Sequence, residues 1–307
     1  MIRLSSILVD IDALAASHPA LEQAVDLAAR CGAHVKVVDV LAWVPSKARQ
    51  FVTTRVEEEL VEHRDARLKD IADAISGVPV TAEVLRGRSA HALIQDVLRS
   101  RHDLLVRSHG RDLAESPKRF GAVDMELLRQ CPCPVWLVGP HRTPHTPPRI
   151  LAAIHANTSE ATEQALNTTI LEWALTLKDL ARAELTLLQA WTVFGGSVLE
   201  SRLPRDEFAE YVEVARRCAE EAMSVLTEPF QSRLVGVTVE SRHGEADDVI
   251  AQFVESRGID AVVMGTVART GIAGLLMGNT AERILQRLHG SVFAVKPPGF
   301  VSPVEGT

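Results

Sequence analysis

The chain has 307 residues, 46% of them hydrophobic and 24% charged, a composition typical of globular proteins and a length that suggests two domains. Its 33 basic and 40 acidic residues give a net charge of −7, which argues against broad nucleic-acid binding. No apolar run is long enough to span a bilayer, and the N-terminus shows no secretory cleavage pattern. We therefore expect a cytoplasmic protein with neither membrane nor nucleic acid among its partners.

Strand and helix patterns alternate along the first half of the chain. The predicted strands are short and apolar, and the segments between them repeat apolar residues at helical spacing. In chain order we predict strand Ile7–Ile11, helix His18–Arg30, strand Val35–Val40, helix Val56–Ile75, strand Val80–Leu85, helix Ser89–Arg99, strand Leu104–Val106, helix Met125–Arg129 and strand Val135–Val138.

A proline-rich segment separates this half from a second one. Residues 139–148 hold four prolines, which can neither continue a helix nor pair as a strand, so residues 141–148 are interpreted as a linker between domains 1–140 and 149–307. The strand pattern then starts again, with predicted strands Ile150–Ile154, Leu185–Gln189, Val237–Glu240, Ala261–Met264 and Val292–Val295.

The two halves are copies of one plan. Four landmarks recur at a constant offset of 157 residues, namely Gly87 and Gly244, Asp103 and Asp260, Gly121 and Gly278, and Pro140 and Pro297. Apolar strands flanked by helices predict an α/β fold whose mainly parallel sheet is covered on both faces. Ligands of such sheets bind at the carboxyl ends of the strands.

One glycine-rich loop in the second half has the composition of a phosphate site. Four of the 18 glycines lie between Gly265 and Gly278, after a strand and just before a helix that opens at Asn279. Glycine permits close backbone approach, and a helix N-terminus offers N–H groups with a positive dipole end. Arg269 is the only cation inside this loop. Two alternatives stay open: Asn279 and Glu282 could form a capping box, and Gly265 could serve only a tight turn.

The loop resembles that of universal stress proteins, whose ATP-binding members carry Gly-x2-Gly-x9-Gly-Ser/Thr after the fourth strand. Gly265 and Gly278 match the first and third glycines, Ala268 stands at the second, and Asn279 followed by Thr280 stands at the end. The strings Gly-Thr-Val at 265–267, Val-Lys-Pro at 295–297 and Cys-Pro-x-Pro-Val-Trp at 131–136 are similar to the tandem E-type branch, and the likeness covers essentially the whole chain.

The resemblance implies two tandem five-stranded parallel-sheet domains with helices on both faces, the adenine nucleotide alpha-hydrolase-like fold. It also implies that the last strands, Val135–Val138 and Val292–Val295, pair as an internal pseudo-dimer, and a homodimer of the whole chain stays open.

The same resemblance supplies the candidate ligand, ATP, with Mg²⁺ only as its companion. An acidic residue after the first strand and a residue ending the second strand meet the nucleotide in ATP-binding members. Asp12 and Val40 hold these positions in the first half. The candidate binding residues of the second half are Gly265, Thr266, Ala268, Arg269, Gly278, Asn279, Thr280, His155 and Ala190.

The first half is expected not to bind ATP, because the side chains of Ser108 and Arg111 would crowd a phosphate. For the second half, nucleotide binding and a buried, ligand-free loop both stay open.

Three functions follow as hypotheses. The leading one is a non-catalytic stress-response protein that binds ATP through its second half, and the others are a ligand-free interaction scaffold and a slow ATPase or nucleotidyl-transfer enzyme. No catalytic residue is assigned. Glu282 is the nearest carboxylate to the loop, but it could already serve the capping box. Hydrolysis would also need metal ligands and a positioned water.

Four cysteines are too few for a disulfide scaffold, so a reducing compartment is expected. Cys131 and Cys133, near His141 and His145, are interpreted as small buried residues at a strand entry rather than as a zinc site.

Overall fold

The computed structural model describes residues 2–43, 54–110, 120–139, 145–266 and 277–305. The first half contains β1 (Ser6–Asp10), α1 (Pro19–Cys31), β2 (His34–Leu41), α2 (Thr54–Asp73), β3 (Val80–Arg86), α3 (Ser89–Ser100), β4 (Leu104–Ser108), α4 (Ala122–Gln130) and β5 (Val135–Val138). The second half contains β6 (Arg149–Ile154), α5 (Ala161–Ala181), β7 (Glu184–Trp191), α6 (Gly196–Arg202), α7 (Arg205–Thr227), β8 (Thr238–His243), α8 (Ala246–Arg257), β9 (Ala261–Gly265), α9 (Asn279–Arg287) and β10 (Ser291–Val295), with a 3₁₀ turn at Glu228–Arg233.

All ten strands form one sheet in the order β3-β2-β1-β4-β5-β10-β9-β6-β7-β8. Neighbouring strands within each half are parallel, whereas β5 and β10 pair antiparallel and join the two halves. Their register places Phe293 opposite Trp136 and Val292 opposite Leu137. This pairing confirms the predicted contact between the last strands.

The core continues through this junction on both faces of the sheet. Alternate residues of β1 point to opposite faces, so that Val9 joins one buried cluster and Leu8 joins the other. The first cluster also contains Val295 of β10 and the second contains Val292, so each cluster includes residues from both halves. The two copies therefore share a single apolar interior.

The repeated aspartates anchor equivalent strands. Asp103, just before β4, accepts backbone N–H bonds from Ser5 at 2.7 Å and Ser6 at 3.0 Å, at the start of β1. Asp260, just before β9, accepts the N–H of Arg149 at the start of β6, at 2.8 Å. Each carboxylate satisfies donors at a strand end, which explains why this landmark appears in both halves.

Two local predictions need correction. Helix α4 begins at Ala122, three residues before the predicted start, because Asp124 binds back to the N–H of Gly121 and stabilises an earlier first turn. In the second half the sequence patterns assign the strands and the helix that opens at Asn279, so they leave out the other helices, among them α6, which opens after Gly195. Within the described ranges, every helix is too short or too polar to cross a bilayer.

Candidate functional site

The candidate site lies where strands β6, β7 and β9 end. Residue Ile154 at the end of β6 pairs with Gln189 of β7, and Gly265 at the end of β9 pairs with Val295 of β10. Strand β6 also lies between β7 and β9, so the strand order reverses there. This is the position at which open parallel sheets bind ligands.

The equivalent cradle in the first half is filled by the protein's own carboxylate. Asp124 lies in the first turn of α4 and is fully buried. One of its oxygens accepts the N–H of Gly110 at 3.0 Å and the N–H of Gly121 at 2.8 Å. These two amides border the loop that would hold a phosphate, so Asp124 provides the anion that they bind.

A buried arginine neutralises this carboxylate. The Nε of Arg107 in β4 donates to Asp124 at 2.8 Å, and its Nη1 donates to Asp10 at the end of β1. Arg107 and Asp124 have no solvent exposure, and that of Asp10 is 1%. A charged trio therefore occupies the space beneath the first loop. This is a different cause from the predicted crowding by Ser108 and Arg111, and Arg111 lies outside the described residues.

The acidic residue of the first half is also engaged. Arg64 of α2 pairs with Asp12 at 3.4 Å and with the buried Asp39. Asp39 in turn accepts the N–H of Ala13 at 3.0 Å, which fixes the turn after β1. The Asp12 carboxylate thus contributes to an internal ion-pair network.

The second half replaces the charged trio with apolar residues. Ile7 pairs with Leu104 and Ile150 pairs with Ala261, so the two sets of strands share one register and Asp10 corresponds to Ala153. The constant offset of 157 relates the other two positions, Arg107 to Met264 and Asp124 to Ala281. Consequently, no carboxylate from these three positions occupies the second cradle.

Gly265 and Thr266 serve packing and the junction between the halves. A Cβ on Gly265 would lie 2.6 Å from Cδ2 of Leu166 on α5, so the glycine admits this side chain. Thr266 is buried, and its hydroxyl donates to the carbonyl of Leu128 in α4 at 2.8 Å. Both groups are therefore engaged by neighbouring residues of the chain.

The helix start is the accessible part of the candidate site. Gly278 is the N-cap of α9 and its N–H donates to the carbonyl of Thr266 at 3.3 Å, whereas Asn279 and Thr280 are exposed. The capping-box alternative is wrong: Asn279 is the first helical residue, and Glu282 pairs with Arg129 of α4 at 2.8 Å. The predicted residues Ala268 and Arg269 lie outside the described ranges.

The remaining two candidates flank the strand ends. Asn167 of α5 brackets the backbone of His155, accepting its N–H at 3.1 Å and donating to its carbonyl at 2.7 Å. The exposed imidazole of His155 lies 3.6 Å from Glu163. Ala190 is half-buried near the end of β7. Both residues border the crevice, but neither offers the carboxylate that the family pattern has after the first strand.

The candidate residues differ in how far their groups are available to a ligand. The start of α9 suits a phosphate, because exposed Asn279 and Thr280 stand where a helix presents unpaired N–H groups. The hydroxyl of Thr266 and the space at Gly265 are occupied by the protein itself. A ligand there would rest mainly on the start of α9.

Sequence reasoning missed Asp124 and Lys296 as site residues. Asp124 has no distinguishing pattern, and its acceptor role depends on amides at Gly110 and Gly121 that only the folded loop brings near. Lys296 is buried, and its ammonium donates to the Thr266 hydroxyl at 2.7 Å and to the carbonyl of Leu128, which lies 168 positions earlier in the chain. Two signals pointed to Lys296: it directly follows the apolar strand Ser291–Val295, and it lies in the string Val-Lys-Pro of the family resemblance.

The predicted burial of the cysteine pair is confirmed. Cys131 has no solvent exposure and that of Cys133 is 9%. Of the two nearby histidines, His145 binds Asp260 at 3.0 Å, and His141 lies outside the described ranges. Among the residues that the structure describes, no three His, Cys, Asp or Glu side chains group to hold a metal ion.

These features define a class: a duplicated α/β protein whose two parallel sheets join through their last strands. The model of the universal stress protein family matches residues 4–139 and again 149–296. The chain thus belongs to the universal stress protein family, as a tandem E-type member.

Individual relatives agree with this assignment. Universal stress protein E of Escherichia coli K12 is 29% identical over 99% of this chain and 98% of its own length. The protein of the same name from Photorhabdus laumondii is 26% identical over 99% of both chains. Among solved structures, a functionally unknown protein from Pseudomonas aeruginosa PAO1 superimposes with a TM-score of 0.68 at 25% identity, covering 96% of this chain and 93% of its own.

Proposed function

We propose that this chain is a non-catalytic stress-response protein in which the second half alone binds an adenine nucleotide, with its phosphates at the start of α9. The observation that carries the proposal is the contrast between the two cradles. In the first, the carboxylate of Asp124 binds the loop amides, and in the second the matching residue is Ala281. A ligand phosphate would supply in the second half the negative charge that Asp124 supplies in the first.

The state of Glu282 supports a binding role without hydrolysis. This carboxylate is paired with Arg129 across the junction of the halves, so it is already neutralised by a cation. A residue that positions an attacking water must be free to accept its protons. The nucleotide, bound with Mg²⁺ only as its counterion, is proposed to act as a signal that orders the loop for a protein partner in the cytoplasm.

A ligand-free scaffold is the second candidate, and one observation favours it. Leu166 fills the space over Gly265, and Lys296 and Leu128 engage the hydroxyl of Thr266. In a scaffold these contacts would close the crevice, and the helices flanking the sheet would present the binding surface to a partner.

Thermal unfolding with and without Mg-ATP separates the two candidates. A ligand that binds only the folded state adds about 2.7 kcal/mol to the free energy of unfolding at about 100 times its dissociation constant. Gly278→Val should abolish this gain, because the branched side chain would project at the helix start where a phosphate would bind. Gly121→Val, the matched change in the first half, should leave the ATP-dependent gain intact in whatever fraction folds.

The contrary results are equally specific. A parent protein that shows no shift with any adenine nucleotide would favour the scaffold. A shift that survives in Gly278→Val would place the ligand elsewhere. Phosphate release that disappears in Glu282→Ala would contradict the non-catalytic assignment.

A further inference from the structure

Two cysteines and one lysine form a cluster under the junction between the halves. Cys131 follows the last turn of α4, Cys133 lies two residues before β5, and their sulfur atoms are 3.6 Å apart. Lys296 follows β10, so the second half supplies the cation and the first half supplies both thiols. The cluster occurs once, because the residues at the offset of 157 are Leu288 and Gly290.

The lysine is fixed in place by three groups. Its ammonium donates to the carbonyl of Leu128 and to the Thr266 hydroxyl, and it lies 5.7 Å from the ring centroid of Phe300. A carbonyl in the last turn of a helix is at the negative end of the helix dipole, which favours a cation there. Burial nevertheless lowers the pKa of Lys296 to about 8, although the negative charge of the neighbouring cysteine pair acts against this change.

The two thiols are made unequal by their surroundings. Burial opposes ionisation of Cys131, but the hydrogen bond with Cys133 and the charge of Lys296 prevail and lower the pKa of the Cys131 thiol. The hydrogen bond with Cys131, together with burial, raises the pKa of the Cys133 thiol. The two sulfur atoms can share one proton, and the direction of the two changes favours Cys131 as the sulfur that ionises first.

The chain permits these two sulfur atoms to bond. Residues two apart are separated by at most about 7 Å, and disulfides usually join Cα atoms about 4.4–6.8 Å apart. The sulfur atoms would have to approach from 3.6 Å to the bond length of about 2.05 Å.

We propose that Cys131 and Cys133 form a reversible dithiol–disulfide site, oxidised by hydrogen peroxide, with Lys296 as the residue that positions and stabilises the reactive thiolate. The Cys131 thiolate attacks one peroxide oxygen, the O–O bond breaks, and Cys131 becomes a sulfenic acid while water leaves after protonation. The Cys133 sulfur then attacks the Cys131 sulfur, the S–O bond breaks, and its thiol proton leaves with hydroxide as a second water. Two thiols are oxidised to one disulfide, and one peroxide is reduced to two waters.

The location gives this reaction a structural consequence. Cys133 leads through Pro134 into β5, the strand that pairs with β10 and joins the two halves. Disulfide formation removes the thiolate beside Lys296 and pulls the two sulfur atoms together at the entry to β5. The site would therefore report an oxidant to the junction of the two halves.

The test uses the full chain with the other two cysteines, Cys31 and Cys218, changed to serine. Cys31 hydrogen bonds to the carbonyl of Ala28 in α1, and Cys218 is exposed. Stoichiometric hydrogen peroxide should consume both remaining thiols, lower the intact mass by two hydrogens and yield one peptide linkage between Cys131 and Cys133. Dithiothreitol should restore the starting mass.

Single changes distinguish the roles. Cys133→Ser should stop at a sulfenic acid on Cys131 that dimedone traps, and Cys131→Ser should slow oxidation of the remaining thiol at least about tenfold. Lys296→Met should slow loss of the Cys131 thiol by roughly tenfold. If this variant fails to fold, the pH profile of the parent serves instead. As the pH is raised, its oxidation rate should increase with a midpoint below about pH 8.5, the ordinary pKa of a thiol.

Several outcomes would overturn the proposal. These are equal oxidation rates in Cys131→Ser and the parent, oxidation to sulfonic acid without a Cys131–Cys133 linkage, and a purified protein whose two thiols hold a metal ion. A rate midpoint at or above the ordinary thiol value would refute the role of Lys296.

Discussion

The two halves share one backbone plan but fill their interiors with opposite chemistry. Beneath the first loop lie Asp10, Arg107 and Asp124, whereas the second half has Ala153, Met264 and Ala281 at the same positions. The same contrast recurs near the starts of β2 and β4. There Asp96 binds Lys36 at 2.7 Å and His102 at 3.2 Å, and the residue matching Asp96 is the buried Phe253.

The strand topology and the chemistry of the site can therefore vary independently in a duplicated protein. The strand order of each half requires apolar strands and short connections, and it accepts either ion pairs or hydrocarbon beneath the loops. A buried charged set is costly to break but often replaceable as a whole. In the first half a carboxylate of the chain, that of Asp124, accepts the N–H groups of Gly110 and Gly121, and the fold is the same as in the second half.

The largest expected effect comes from breaking the charged trio. Arg107→Met should lower the free energy of unfolding by about 3–5 kcal/mol, because it leaves Asp10 and Asp124 buried without a cation. Tryptophan fluorescence during urea unfolding would measure it. The triple variant Asp10→Ala, Arg107→Met, Asp124→Ala copies the second half and should recover more than half of that loss. A triple variant no more stable than the single one would show that the two halves are not interchangeable in this way.

A smaller effect is expected at the buried carboxylate of Asp96. Burial alone would raise the pKa of Asp96, but hydrogen bonds from His102, Lys36 and Arg99 outweigh it and hold this pKa well below its usual range. Because the pKa in the folded state is lowered, the stabilisation is fully present above about pH 4, the value in the unfolded chain, and is lost as the pH falls below it.

Asp96→Asn should therefore cost roughly 2–3 kcal/mol at pH 7 and progressively less below pH 4. Urea unfolding across pH 2–7 would measure this. Asp26→Asn is the control, since Asp26 is 64% exposed and pairs with Arg30 on the surface. A constant difference between Asp96→Asn and the parent at all pH values would contradict the assignment.

The smallest effect is expected at the junction of the halves. Arg129 and Glu282 are more than one-third exposed, so their ion pair should contribute only about 0.2–1 kcal/mol and weaken with salt. Glu282→Gln measured at low and high salt would show this. A decrease of more than about 2 kcal/mol in the free energy of unfolding, independent of salt, would mean that this ion pair is essential to the junction.

The sequence was sufficient for the strands and the repeat, but only partly for the site. Strands such as β1 and β4 can be predicted because a strand that is buried on both faces is a continuous run of apolar residues. The pairing of β5 with β10 was predicted from the family resemblance, because the apolar composition of a strand does not determine which strand pairs with it. Arg107 reads as a surface residue until its partner Asp10, 97 positions away, is placed beside it.

Glycines gave the most ambiguous signal. Gly265 has the spacing of a nucleotide loop, yet its missing side chain also makes room for Leu166. A sequence specifies that a side chain is absent, but not whether a ligand or a neighbouring residue uses the space. Lys296 illustrates the converse, because its role depends on the carbonyl of Leu128 in the other half.

The stoichiometry of ATP binding tests the central contrast most directly. Equilibrium dialysis of the full chain with labelled Mg-ATP should give one bound nucleotide per chain, and Gly278→Val should reduce this to none. Two nucleotides per chain would contradict the closure of the first cradle by Asp124, and binding that persists in Gly278→Val would contradict the site at the start of α9.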